Sequence, residues 1–522
     1  MSNLKIIQAL TNLFEKQRIV FWYDNRLEFR ADFESLELPG VEKIELANNE
    51  FGVKYRILRE QPEQKFLLYR EGAEPDYLDN WLLDVQLASG NTFRTDQFAL
   101  WLAELELGPD CYPVLEEHAA FFAAAKRREQ LHKLLQSGDS HSMLRFKMLA
   151  VCAGCEPRLD VILEELLAEL ASAESARIKL IESSGLSGFL WEQMKRAYGY
   201  VSDEPGLHDF VIELFKSCFM MGTDPEYKAR LSAESLVFLR RWKDSRSHES
   251  SFELLSAQCA EVLQISDKLH KLDYRALLDL DYFELIDRKI LSELVRATVV
   301  RTATAADVEQ SVRQRRQSHW FSHFEDVYLA LDHAAQFLQT LDAAKLEMAS
   351  LADGVEKYAK SWYRLDQLYR KFVHHARKSG QASLLEELSA QIENQYTNNY
   401  LARLNDRWQQ FVDSAPSWTA APIMLQRNFF SRCVKPFLER KTKVCVLISD
   451  AFRYEVGEEL QSLIRREDRF EAELEPALSM ASALAAPWHS REPRRIPARR
   501  GRLYSSRLTW PILRPGRASA LP

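Results

Sequence analysis

The chain has 522 residues, of which 46% are apolar, 11% aromatic and 28% charged. This composition is typical of a soluble globular protein, and the length suggests about three domains. Its 17 Gly and 18 Pro are too few for a collagen-like, mostly disordered or turn-rich all-β chain. It contains no uncharged apolar run of about 18 residues, as a transmembrane helix would require. The seven cysteines are odd in number and scattered from Cys111 to Cys445, which predicts reduced thiols and a cytoplasmic location.

Charge is unevenly distributed along the chain. The formal net charge is −7, but residues 491–522 contain nine Arg, no Lys and one Glu, a net charge of +8. The preceding 490 residues therefore carry −15. Residues 1–490 are therefore too negatively charged to be a good candidate for broad non-specific DNA binding.

The first 97 residues are predicted to form a parallel α/β domain. An amphipathic helix opens the chain, without the apolar centre and cleavage site of a signal peptide. Three β-type runs follow, at 19–23, 41–47 and 65–72, separated by helix-compatible stretches. Asp24 and Arg70 then lie at strand ends, where open α/β sheets bind ligands. No glycine-rich phosphate loop follows these strands, which argues against nucleotide binding.

Residues 98–435 show long helical periodicity. Segments such as RLDVILEELLAELAS and FEDVYLALDHAAQFLQTL place apolar residues at i, i+3, i+4 and i+7. No fixed repeat length emerges, so a regular solenoid is not supported. A helical region of this length is more often a scaffold than a site of chemistry.

Two patterns in the helical region have a functional and a structural interpretation. CAGCEP places Cys152 and Cys155 at zinc or redox spacing, but no second ligand pair is nearby and the pair ends a helix, which favours core or cap cysteines. Aromatic residues alternate with Arg in YRLDQLYRKF (363–372) and NQYTNNYLARLNDRW (394–408). Base stacking is conceivable there, but a helix core with Arg reaching the surface fits the spacing better.

Histidines form two further patterns. His319 and His323 are four residues apart, which would place them on one helix face at a spacing that suits a metal. The glutamate of an HExxH motif is absent, so packing or surface histidines are favoured. His374 and His375 are adjacent and therefore point to different helix faces.

The segment KVCVLISDAFRYEVGEELQSLIRRE (443–467) is the most informative one. Residues 444–448 form an unbroken apolar run, which predicts a strand buried on both faces. A helix follows, with apolar residues Val456, Leu460, Leu463 and Ile464. Asp450 would lie at the carboxyl end of the strand, where it could bind a cation or cap the helix. Arg453 and Glu455 are expected to pair with neighbours and brace this turn.

SDAFRYEVGEEL (449–460) resembles the opening signature of the PglZ domain, a branch of the alkaline phosphatase superfamily found in BREX phage-defence systems. Upstream, IVFWYDNRLEF (19–29), FLLYREGAEPDYLDNWLLD (66–84), YRLDQLYRKF and QRNFFSRCVKPFLERKTKVCVLISDA (426–451) are similar to BREX type 1 PglZ proteins. The resemblance covers about residues 1–480.

The resemblance implies a phosphatase or phosphodiesterase that uses divalent metal, zinc or similar. Asp450 matches the metal-ligating Asp that ends the first strand of such domains. The implied substrate is a phosphate ester or phosphodiester, and the implied partners are other BREX subunits, such as the methyltransferase and the ATPase of the system. No membrane association is implied, and direct nucleic-acid binding stays open.

The sequence departs from this pattern after Asp450. Where PglZ proteins have a PSYTQLG-like segment with the nucleophilic Thr, this chain reads EPALSMASALAAPWHS (475–490), and neither Ser479 nor Ser482 has the motif around it. Asp468 and His489 are the only Asp and His beyond Asp450, whereas a two-metal site needs several such ligands. The expectation is a catalytically incomplete chain without a stably bound metal.

The predicted architecture is therefore α/β plus α. It consists of an N-terminal parallel α/β domain (1–97), a helical region (98–435), the first strand-helix unit of an alkaline-phosphatase-like domain (436–480) and an irregular Arg/Pro-rich tail (481–522). Three interpretations of the tail stay open: a disordered end, out-of-frame translation that truncates the domain, and a basic arm for nucleic acid or an acidic partner. The predicted function is a PglZ-type BREX component, with a non-catalytic interaction scaffold as the alternative.

Overall fold

The computed structural model describes the chain outside residues 1, 2, 26, 28, 90, 91, 95, 96, 450, 451, 468–471, 480–509 and 516–522. Contacts between residues divide it into two units, 1–263 and 264–522. Most of the described chain is helical, and each unit contains one small sheet. Among the described helices, none is long and apolar enough to cross a membrane.

Four parallel strands form the sheet of the first unit. They are Ile19–Asp24 (β1), Val41–Glu45 (β2), Lys65–Glu71 (β3) and Thr92–Arg94 (β4), in the order β2-β3-β1-β4. The first three strands and their parallel pairing confirm the prediction. The fourth was not predicted, because three residues are too few to show a period of two.

Fifteen helices are described in the first unit. They are Asn3–Lys16 (α1), Arg30–Ser35 (α2), Glu50–Tyr55 (α3), Leu83–Ser89 (α4), Gln97–Glu104 (α5), Tyr112–Glu117 (α6), Ala119–Phe122 (α7), Ala125–Leu134 (α8), His141–Ala153 (α9), Leu159–Ala171 (α10), Ala176–Ser183 (α11), Ser187–Tyr198 (α12), Leu207–Thr223 (α13), Ala233–Lys243 (α14) and Glu249–Val262 (α15). A π-helical turn, Arg56–Glu60, extends α3. The predicted amphipathic helix at the N-terminus and the helical periodicity after residue 98 are confirmed.

The sheet of the first unit is covered on both faces, as expected of a parallel sheet. Alternate residues of β1 point to opposite faces: Val20 and Trp22 pack in a cluster with Leu10 of α1. Phe21 lies in a second cluster with Val53 of α3. Because the apolar residues of β1 alternate between the two faces of the sheet, this strand contributes to two cores.

The second unit contains ten described helices and a second sheet. The helices are Ile265–Leu269 (α16), Glu284–Val299 (α17), Ala305–Arg315 (α18), Phe321–Ala343 (α19), Leu351–Lys357 (α20), Tyr363–Lys378 (α21), Ala382–Asn394 (α22), Arg403–Ser414 (α23), Lys435–Glu439 (α24) and Tyr454–Arg466 (α25). The strands Met424–Leu425 (β5), Ala472–Leu478 (β6) and Trp510–Pro515 (β7) lie in the order β5-β6-β7. β5 and β6 are parallel, and β6 and β7 are antiparallel.

Helix α21 is central to the second unit. Leu365, Leu368, Tyr369 and Phe372 recur at helical spacing and are buried, which confirms the core interpretation of this segment. The helix packs against α19, α22 and α25. Two π-helical segments, Tyr358–Trp362 before α21 and Gln395–Ala402 after α22, interrupt the regular helices around it.

Residues 444–448 do not form the predicted buried strand. The segment is irregular, and the side chains of Leu447 and Ile448 are each 92% exposed. A strand needs a neighbour to satisfy its backbone hydrogen bonds, and no strand of the described residues pairs with this segment. Apolar composition alone was therefore insufficient to make a strand here.

The predicted irregular tail also needs a correction. Residues 510–515 form β7, which pairs with β6 from Ala472↔Pro515 to Ala477↔Trp510. The rest of the tail from residue 480 lies outside the described residues. The predicted boundaries at residues 97 and 435 stay predictions.

Candidate functional site

The last two residues of the SDAFRYE sequence begin helix α25. This helix packs against α21. Asp450, the predicted metal ligand, lies outside the described residues. Arg453 precedes the helix in an extended conformation, and its carbonyl oxygen accepts the amides of Val456 at 3.1 Å and Gly457 at 3.0 Å. The residues described after Asp450 are thus held by a regular helix start.

The carboxyl group of Glu455 is buried under the first turn of α25. Its side chain is fully buried, and among the described residues neither carboxylate oxygen has a hydrogen-bond partner. The guanidinium Nη1 of Arg453 lies 3.5 Å from Oε1. The two residues therefore pair with each other, as the sequence predicted. A buried carboxyl group with so few partners is costly to ionise.

A second carboxyl group, that of Asp366 on α21, is surrounded by tyrosines. The hydroxyl groups of Tyr358 and Tyr396 donate to its two oxygens at 2.6 Å and 2.7 Å, and that of Tyr400 donates at 3.3 Å. All three tyrosines lie on the π-helical segments. Because a π turn changes which side chains face inward, these segments bring three donors onto one acceptor.

The pKa values of both carboxyl groups are raised. Burial and, to a lesser degree, the negative charge of Asp366 together raise the pKa of Glu455 to about 7, against the opposing effect of Arg453. Burial also raises the pKa of Asp366, although the donors Tyr358 and Tyr396 oppose that shift. Two carboxyl groups that disfavour each other's charge hold a proton near neutral pH. This pair could donate or accept a proton in that range.

Glu455→Gln is expected to stabilise the chain at pH 8 and to leave its stability at pH 5 nearly unchanged. The folded chain binds the Glu455 proton more tightly than the unfolded chain, so stability falls as pH rises from about 4.5 to about 7. Removing the charge should raise the free energy of unfolding at pH 8 by about 2 kcal/mol. Urea unfolding at both pH values measures the difference.

Glu467→Gln is the matched control, because Glu467 is exposed at the end of the same helix. It should change stability by less than about 0.5 kcal/mol at either pH. Equal destabilisation by Glu455→Gln at pH 5 and pH 8 would contradict the assignment of a raised pKa.

Ion pairs join the outer sides of α21 and α25. The Nζ atom of Lys371 lies 2.9 Å from Oε1 of Glu459, and the guanidinium of Arg370 also pairs with that carboxylate. All three side chains are about one third exposed, so each pair adds little stability. Their effect is to orient α25 on α21.

A shallow basic groove of about 490 Å³ lies along α21. Arg370, Val373, His374, Arg377 and Lys378 line it. Its positive charge would attract a small anion such as phosphate. The groove is open to solvent and does not enclose a ligand.

Asp24 and Arg70 lie at strand ends, as predicted, but they make internal contacts. Asp24 is buried at the end of β1, and its Oδ2 accepts the Tyr69 hydroxyl at 2.9 Å and the Phe29 amide at 2.8 Å. Arg70 Nη1 lies 3.7 Å from a carboxylate oxygen of Glu50. These contacts brace the end of the sheet.

Cys152 and Cys155 lie at the end of α9, in agreement with the structural interpretation. Gly154 ends the helix with a φ of 76°. Burial raises the pKa of Cys152 to about 11 and that of Cys155 to about 12. Thiols with such values are unreactive near neutral pH.

His319 and His323 do not share a helix face, because α19 begins only at Phe321. The Asp281 carboxylate accepts the amide of His319 at 3.0 Å. The two imidazole rings lie 4.9 Å and 5.4 Å from the ring of Trp320 between them. This agrees with the packing interpretation.

His374 and His375 have different surroundings, as their adjacency predicted. His375 Nδ1 lies 2.8 Å from a carboxylate oxygen of Asp326 on α19. His374 lines the basic groove instead. The two rings do not form a ligand pair.

Comparison with known proteins identifies the family of the segment around α25. A family model described as the BREX system PglZ alkaline phosphatase-like domain matches residues 429–486. The chain is 29% identical to the alkaline phosphatase-like protein BrxZ of Escherichia coli O9:H4 (strain HS). It is 26% identical to the alkaline phosphatase-like protein PglZ of Bacillus cereus (strain H3081.97). Most of the chain is thus similar to PglZ proteins of BREX systems.

The PglZ relationship extends beyond the matched domain. The alignments cover 92% and 87% of this chain, but only 59% and 55% of the two relatives. The chain thus spans less than two thirds of the length of these PglZ relatives. No solved structure is significantly similar to it.

The described residues of the PglZ match do not fit the ligand set of a two-metal site. Alkaline phosphatase-like proteins typically use divalent metals. However, among the described residues of 429–486, no three His, Cys, Asp or Glu side chains bring ligand atoms within 4.8 Å of one another. Asp450, Asp468 and His489 lie outside the described residues.

The structure describes one of the two serines near the expected PglZ nucleophile. Ser479 is buried directly after β6. Ser482 lies outside the described residues. The catalytic role of this region therefore stays a prediction.

Sequence reasoning missed Asp366 and the tyrosines around it. One signal was present: Asp366 lies within a run of core positions on α21, where an acidic residue is unusual. Tyr396 and Tyr400 were also spaced for one helix face. What could not be predicted is that three hydroxyl groups from two segments share one carboxylate.

Proposed function

We propose that this chain is a PglZ-type component of a BREX bacteriophage-defence system. The observation that carries the proposal is the similarity to BrxZ and PglZ proteins, which extends over most of the chain, together with the PglZ match at residues 429–486. Its partners would be other BREX subunits, such as the methyltransferase and the ATPase. The proposed layout keeps the N-terminal α/β domain (1–97), the helical region (98–435) and the start of the PglZ domain (436–480).

In this component the helical region supports the PglZ segment. The buried carboxyl groups of Glu455 on α25 and Asp366 on α21 interact with each other. On the outer side of the same two helices, Glu459 of α25 pairs with Arg370 and Lys371 of α21. A helix with both a buried polar face and outer ion pairs has a defined orientation. The segment that contains Asp450 would thereby be presented from a rigid base.

The activity of the intact family domain would be metal-dependent hydrolysis of phosphate esters or phosphodiesters, with Asp450 as one metal ligand. A divalent cation such as zinc would supply Lewis-acid stabilisation of phosphoryl oxygens. Within these 522 residues the sequence after Asp450 contains one further Asp and one His. We therefore propose that this chain by itself is catalytically incomplete.

A non-catalytic scaffold is the second candidate function. Exposed apolar side chains of the PglZ segment favour it: Leu447, Ile448 and Leu463 are all more than half exposed. Exposed apolar side chains in such number are typical of surfaces that another protein covers. Both candidates predict assembly with BREX subunits and differ in the activity of the assembled complex.

Both candidate functions can be tested by co-expressing the tagged 522-residue chain with the other BREX subunits of its source. We expect a stable complex on affinity purification for the wild type and for Asp450→Asn. We expect no hydrolysis of bis-p-nitrophenyl phosphate by the isolated chain with added zinc or manganese. Failure to recover any BREX subunit would overturn the component role, and hydrolysis that Asp450→Asn abolishes would overturn the proposed incompleteness.

A further inference from the structure

Three potential metal ligands of different chemistry meet in the first unit. Asp110 and Cys111 belong to a short turn, Pro109–Cys111, that precedes α6, and His141 is the first residue of α9. The Asp110 Oδ2 atom lies 3.1 Å from His141 Nε2 and 3.9 Å from Cys111 Sγ. One ligand atom of each residue lies within 4.8 Å of both others.

The separations of 3.1 Å and 3.9 Å lie within about 0.5 Å of those of a tetrahedral site. Zinc bonds of about 2.0–2.3 Å place the ligand atoms roughly 3.3–3.8 Å apart. The Cys111 side chain is only 4% exposed, and its thiol is directed at the Asp110 carboxylate. Asp110 and His141 are exposed. The cluster therefore has a buried sulfur ligand and an open side through which a cation can enter.

Local structure holds each ligand in place. A Cβ at Gly108 would lie 2.3 Å from Oδ1 of Asp110, so glycine leaves the space that the carboxylate occupies. The Gly108 carbonyl accepts the amide of Cys111 at 3.0 Å. At His141, the side chain of Ser140 accepts the amide of Met143 at 3.2 Å and sets the start of α9.

The electrostatic surroundings of the cluster are negative. Burial raises the pKa of the Cys111 thiol, and the charges of Asp110 and Asp139 raise it further. The ammonium of Lys147 pairs with Asp139 at 2.5 Å. A divalent cation would compensate the remaining negative charge and would bind the thiolate, with release of the thiol proton to solvent.

We propose that Asp110, Cys111 and His141 form a binding site for zinc or a similar borderline divalent cation. Sulfur and imidazole ligands favour such cations over magnesium and calcium, which prefer oxygen ligands. Three protein ligands leave one position for water. The cation would link the turn before α6 to the start of α9, and these residues lie outside the PglZ match.

Titration of the metal-free 522-residue chain with cobalt(II) tests the site. We expect thiolate-to-cobalt charge-transfer absorption in the near ultraviolet that zinc abolishes by competition. Cys111→Ser should remove this absorption, and His141→Ala or Asp110→Ala should weaken cobalt binding at least tenfold.

Matched controls separate this site from other cysteines and histidines. Cys155→Ser, Cys445→Ser and His132→Ala should leave the absorption and the affinity unchanged. The two exposed-ligand variants, at Asp110 and His141, keep the test valid if Cys111→Ser fails to fold. Absorption that persists in Cys111→Ser, or that Cys445→Ser removes, would overturn the proposal.

Discussion

Arg315→Met is expected to lower the free energy of unfolding of the second unit by about 3–5 kcal/mol. Arg315 on α18 and Asp287 on α17 are both fully buried, and their side chains form a two-point ion pair. The Asp287 carboxylate also accepts the Tyr328 hydroxyl at 2.7 Å. Removing the guanidinium would leave a buried carboxylate without its counter-charge, the most costly kind of polar burial.

The same guanidinium has a second function, because Arg315 Nη1 donates to the carbonyl oxygens of Leu278 at 2.9 Å and Leu280 at 2.7 Å. Burial already raises the pKa of Asp287, and Arg315 opposes that shift. In Arg315→Met the pKa should rise further. The loss of stability should therefore be largest at pH 8 and smaller at pH 5.

Arg313→Met is the matched control for this prediction. Arg313 is on the same helix, is exposed and pairs with Glu309 at 2.7 Å, so its loss should cost less than about 1 kcal/mol. Urea unfolding followed by circular dichroism compares the two variants. Similar unfolding midpoints for both would show that the buried pair does not hold α17 and α18 together.

Asp366→Ala is expected to lower the free energy of unfolding by about 3 kcal/mol. Three tyrosine hydroxyl groups would lose their shared acceptor, and each buried donor left unsatisfied costs about 1–3 kcal/mol. Tyr400 retains the Trp362 carbonyl oxygen at 3.3 Å as a second acceptor, which keeps the total below the sum of three losses. Amide hydrogen exchange should become faster in α21 and α25.

Asp366→Asn and Asp413→Ala provide the controls. The Asn variant keeps an acceptor oxygen and removes the charge, so it should be less destabilising than Ala and should lower the pKa of Glu455. Asp413 is exposed on α23, and its substitution should cost less than about 0.5 kcal/mol. A loss for Asp366→Ala no larger than that for Asp413→Ala would contradict the role of the tyrosine cluster.

Local sequence determined much of this protein. Three β-type runs separated by helix-compatible stretches were enough to predict a parallel sheet, because parallel strands need a crossover connection between them. Apolar residues at helical spacing predicted α9, α10 and α19, since the period of a helix is a local property. The SDAFRYE sequence before and within α25, together with the order of the similar segments upstream, indicated the PglZ relationship.

Only the tertiary structure decided what happens where distant segments meet. The apolar run at 444–448 had the composition of a strand, but no described neighbour pairs with it, and it is exposed. Asp366 and Glu455 are 89 positions apart, and Cys111 and His141 are 30 positions apart. Sequence periodicity specifies which face of an element is apolar. It does not specify which element covers that face, and the pKa values and ligand clusters depend on that packing.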